Sequence, residues 1–63
     1  MTDEELMCDL NKWLITPELQ HRPNSDLIAF LSSIHLYWRI NNRITEKQRN
    51  YTCALLNKHW TKK

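Results

Sequence analysis

Apolar residues recur at helical spacing in three stretches of this chain, and short polar breaks separate them. Leu6, Leu10, Trp13 and Leu14 stand at i, i+4, i+7 and i+8, the stripe of a helix buried on one side, and Met7 widens it. The spacing predicts a helix over about 3–15. Thr2 is followed three residues later by Glu5, the signature of a capping box. Asp3, Glu4 and Glu5 place negative charge at the positive end of the helix dipole. Pro17 ends the element, because the residue before a proline avoids helical geometry. Residues 16–24 then form a connector with two prolines. Thr16 is positioned to cap a single turn starting at Pro17, with Leu19 turned inward.

A second helix is predicted from Ser25 or Asp26 to about Asn41, capped by Asn24 or Ser25. Leu27, Phe30, Leu31, Ile34, Tyr37 and Trp38 share one face, Leu36 and Ile40 point the other way, and Ile28 lies between. A helix apolar on most sides is normally packed by neighbours on two faces, so this helix is expected to be the central one. Asn41 and Asn42 can end it in left-handed backbone geometry without glycine. Thr45 and Gln48 make a second capping box, opening a third helix. Tyr51, Thr52, Leu55 and His59 are expected to face inward, with Ala54 and Leu56 beside them and fraying near Trp60. The expected core is Trp13, Leu31, Ile34, Trp38 and Leu55.

Composition narrows the fold class further. The chain has 63 residues, no glycine and no valine, which removes glycine-dependent phosphate loops and the favoured tight hairpin turns. The reading is a single all-α domain over 1–63, a compact three-helix bundle with helix over roughly two-thirds to three-quarters of its residues, well above the globular average. The longest stretch without a charge, Leu27 to Trp38, is 12 residues, short of the roughly 20 that cross a bilayer. The acidic start lacks the basic region of a signal peptide. A cytoplasmic protein with no membrane partner is expected, and with it free thiols at Cys8 and Cys53.

Catalytic and metal chemistry find little support. Glu18, three residues before His21, is the one carboxylate within a helical turn of any histidine, and none stands so near His35 or His59; so small a bundle also rarely holds a pocket of several hundred Å³. Cys8, Cys53, His35 and His59 offer two sulfurs and two nitrogens, yet no pair has the close spacing of zinc ligands. No enzyme activity, cofactor, metal or small-molecule substrate is expected.

Charge is the uneven feature. Residues 1–20 carry five acids and one base, net −4, whereas residues 21–63 carry eight bases and two acids, net +6. Arg39, Arg43, Lys47, Arg49 and Lys58 are the candidate nucleic-acid-binding residues, with Lys62 and Lys63 beyond them. Tyr51 and Trp60 lie nearby in sequence, and bases among aromatics can track phosphates and stack a nucleobase. The alternative is a solvated basic face balanced by an acidic first helix. Apolar surface is also in surplus: Leu36, Ile40 and Trp60 exceed what two short neighbours can cover, which makes them a candidate protein interface.

Residues 27–60 resemble a known module. The pattern is Leu27-x-x-Phe30-Leu31-x-x-Ile34-x-x-x-Trp38, a short Asn-rich turn, then Ile44-Thr45-Glu46-Lys47-Gln48-x-x-Tyr51-x-x-x-Leu55-Leu56. It is similar to a helical hairpin found in or beside DNA-processing proteins of tailed bacteriophages, the UvsW-helicase-associated type. Asn41-Asn42 stands where that pattern often has glycine. The resemblance implies a phage or mobile-element accessory role in DNA replication, recombination or repair, and carries over no catalytic residue. The expected partner is nucleic acid, DNA ahead of RNA, or a DNA-processing protein; the alternative is a protein-only adaptor or inhibitor docking on a host or phage protein.

Overall fold

Caps decide where each helix of the protein begins. Oγ1 of Thr2 accepts the Glu5 backbone N–H at 3.1 Å, and Oε1 of Glu5 accepts the Thr2 N–H at 3.4 Å. This box opens α1, Asp3–Ile15. The structure, a computed structural model, describes residues 2–61. Thr16 is extended, and a single 3₁₀ turn follows at Pro17–Leu19. The Thr16 side chain makes no cap bond; its carbonyl accepts from the Leu19 N–H at 3.0 Å instead. Asn24 Oδ1 accepts the Leu27 N–H at 2.8 Å and starts α2, Ser25–Asn41. Asn42 stops it at φ 56, its N–H donating to the Trp38 carbonyl at 2.7 Å. Asparagine thus does the work glycine usually does at a helix end. Thr45 and Gln48 form the second box, at 2.9 and 3.1 Å, and open α3, Glu46–His59.

The three helices form an all-α bundle, with no strand among the described residues. The central helix is α1, not α2 as the apolar pattern suggested. Leu6, Met7, Leu10 and Trp13 are almost wholly buried, and both other helices pack on α1 more extensively than on each other. The reason lies in how α2 spends its apolar residues: only Leu27, Leu31 and Ile34 reach the core, while Phe30, Leu36 and Ile40 stay exposed. On the expected core list, Trp13, Leu31 and Ile34 are buried, whereas Trp38 and Leu55 pack against the core from its edge.

The third helix is turned relative to the expected face. Thr52 and Leu56 are its buried residues, and Tyr51 is exposed. The rotation brings Leu56 rather than Tyr51 toward α1 and leaves a hydroxyl inside the core. That hydroxyl is satisfied, because Thr52 Oγ1 donates to the Gln48 carbonyl at 2.8 Å.

The end of α3 is tied down where fraying was expected. Gln20 and Trp60 form an antiparallel bridge, with His21 N–H donating to the His59 carbonyl at 2.6 Å and Thr61 N–H to the Leu19 carbonyl at 2.7 Å. The Trp13 indole N–H reaches the same His59 carbonyl at 3.1 Å. Gln20 Nε2 in turn donates to the carbonyl of Trp13 at 2.9 Å. Backbone groups freed by the end of one helix are thus satisfied by the connector after another.

Candidate nucleic-acid interface

The cations named from the sequence are all exposed, but they do not share one surface. Arg49 is the one engaged in an ion pair among the described residues: Nη1 lies 3.4 Å from Oδ1 of Asp3 in the first turn of α1. Arg49 is exposed and Asp3 partly so, and the pair adds at most about 1 kcal/mol to stability. Its larger effect is on availability, since an acid already occupies the guanidinium. Arg39 sits nine residues after Phe30 on α2, about half a revolution round the helix, and so belongs to a different flank. Arg43 is in the exposed connector between α2 and α3.

Lys47, Tyr51 and Lys58 do come together. At about 100° per residue they fall within an arc of about 40° on α3. All three are exposed. The Nζ of Lys47 lies over the Tyr51 ring, 5.9 Å from its centroid. From α2, Phe30 meets the same ring edge-to-face, with centroids 6.0 Å apart and planes at 83°. The apolar pattern places Phe30 on the same face of α2 as Leu27, Leu31 and Ile34, yet it is 43% exposed, and Tyr51 is 49% exposed. An open cleft of about 550 Å³ lies beside them, lined by Glu46, Lys47, Asn50 and Tyr51. The arrangement combines two half-exposed aromatic rings, a lysine over one of them, and a second lysine about two turns along. Glu46 in the cleft opposes anions and sets a limit on how close a phosphate approaches the start of α3.

The expected protein interface is divided. Leu36 and Ile40, 54% and 71% exposed, lie one turn apart on α2. Trp60 is half-buried and packs against the core instead. It lines a smaller cleft of about 220 Å³ with Leu6, Asp9, Cys53, Leu56 and Asn57. Its bridge to Gln20 holds it on that side, which removes Trp60 both from the Leu36–Ile40 surface and from the aromatic pair. Cys8 is exposed and Cys53 half-buried, neither bonded to the other. No helix among the described residues is long and apolar enough to cross a membrane.

Sequence reasoning paired Tyr51 with Trp60 and missed Phe30. The signal for the observed grouping was present: Lys47, Tyr51 and Lys58 stand at i, i+4 and i+11, a helical face that carries cations and one ring. No protein-family model matches the chain, and no curated protein or solved structure is significantly similar to it.

Proposed function

We propose that the protein is a small non-enzymatic accessory module that binds nucleic acid, DNA in preference to RNA, during replication, recombination or repair. The observation that carries this reading is the exposed flank of α3, where Lys47 and Lys58 flank Tyr51 with no acid paired to either among the described residues. Exposed cations release counterions when they meet phosphates, the main source of affinity in such complexes. Arg43, exposed in the connector just before α3, offers a further cation. The resemblance of residues 27–60 to the hairpin of tailed-phage DNA-processing proteins supports a phage or mobile-element setting.

The test is the salt dependence of binding. Replacing Arg43, Lys47 and Lys58 together by Ala is expected to weaken binding to all DNA sequences alike. The slope of log K against log salt should flatten by about two to three, since each phosphate contact contributes roughly 0.7 to 0.9. Unchanged affinity and slope in a folded triple variant would contradict the proposal.

A second reading rests on a separate observation. Leu36 and Ile40 leave a contiguous apolar turn in water, which suits an adaptor docking on a DNA-processing or host protein. On that reading Leu36→Asp or Ile40→Asp abolishes partner capture while the basic triple variant retains it.

A further inference from the structure

We infer that the ligand of the α3 flank is single-stranded DNA, and that Phe30 and Tyr51 form a platform on which an unpaired base stacks. This rests on the nucleic-acid reading above and narrows it. The aromatic faces of bases in a duplex are covered by their neighbours, so an exposed ring has nothing to stack on unless a base is unpaired. Phe30 and Tyr51 brace each other edge-to-face at 6.0 Å, so the platform is ordered before the ligand arrives and little freedom is lost on binding.

Lys47 completes the geometry. Its ammonium lies 5.9 Å from the Tyr51 centroid, and a cation over an exposed ring is a weaker contact than a stacked base. An arriving base displaces the lysine, and the flexible side chain turns to the adjoining phosphate. Lys58 lies on the same face about 16 Å along the helix axis from Lys47, a span that an extended strand crosses in a few nucleotides. Arg49 takes no part in this track, because Asp3 holds it on the side facing α1.

The experiment compares a short oligothymidylate, an oligouridylate of equal length and a DNA duplex, each titrated at low salt with the full chain. Tyr51→Ala and Phe30→Ala are expected to weaken oligothymidylate binding roughly tenfold or more, with duplex binding unchanged. Tyr51→Phe, which keeps the ring, should bind as the parent does. Tyr51→Leu, which keeps apolar bulk without a π face, should behave as Tyr51→Ala; circular dichroism confirms that each variant is folded. Losses equal for duplex and single strand, or no loss at all, overturn the stacking platform while phosphate binding stands. A clear preference for oligouridylate overturns the assignment to DNA. No binding of any of the three by the folded parent overturns this inference and the reading beneath it together.

Discussion

Asp3 and Arg49 illustrate how one charge can be spent in two ways. The pair at 3.4 Å ties the first turn of α1 to α3, and it also withholds a guanidinium from any phosphate. Asp3→Asn removes the competitor while keeping the shape. The expected outcome is a salt slope for DNA steeper by about 0.7 to 0.9, as one phosphate contact is gained. Stability should fall by about 1 kcal/mol or less, measured by urea denaturation. An unchanged slope would show that Arg49 does not reach the ligand. Core positions respond on a different scale. Leu31 is fully buried, so Leu31→Ala should cost about 2 to 5 kcal/mol, enough to unfold much of so small a domain. Leu55, at the core edge, should cost clearly less in the same urea assay. Equal losses at the two positions would mean that the face of α3 is misassigned.

At the level of elements, the connector and the end of α3 act as one clasp. The His59 carbonyl accepts from both the His21 N–H and the Trp13 indole. Trp13→Phe keeps most of the buried ring and loses the indole donor, for an expected cost of about 1 to 3 kcal/mol together with the small cavity left. Hydrogen exchange should show the His21 and Thr61 amides protected well above the exposed Arg22 and Asn24 amides; equally fast exchange at all four would rule out the clasp. These same elements show what the sequence made legible. Both capping boxes, the Asn24 cap and the left-handed stop at Asn42 were readable because each is a local pattern of four or five residues. The clasp was not, since Gln20 and Trp60 are distant in sequence and their bridge is made by backbone groups that carry no residue signature. The rank order of the helices was misread for a related reason. Apolar count favoured α2, but burial follows which stripe meets two neighbours, and the narrow run Leu6, Met7, Leu10, Trp13 does so. Phe30 sits at the margin of the α2 stripe, where periodicity alone does not distinguish core from surface.

Across the whole molecule, charge and shape separate the two ends of the chain's chemistry. The radius of gyration of 10.8 Å is that of a compact folded chain of this length, about 11 Å. The acids gather in the first third of the sequence and the bases in the last, so α1 supplies the core while α3 carries the cationic flank. The apolar turn at Leu36 and Ile40 is a separate surface, and Ile40→Asp should therefore leave both folding and DNA affinity unchanged; a loss of DNA binding in that folded variant would merge two surfaces that the fold keeps apart. The central claim is that nucleic acid meets the protein along Lys47, Tyr51 and Lys58, with Phe30 beside them. It is tested most directly by titrating isotope-labelled protein with a short oligothymidylate at low salt and following the nuclear magnetic resonance shifts of every amide. Shifts are expected to concentrate at Phe30, at Arg43 and along 47–58 on the exposed face of α3, and to fade as salt is added. Shifts confined to Leu36 and Ile40 or to the cleft around Asp9 and Trp60, or none at all, would contradict it.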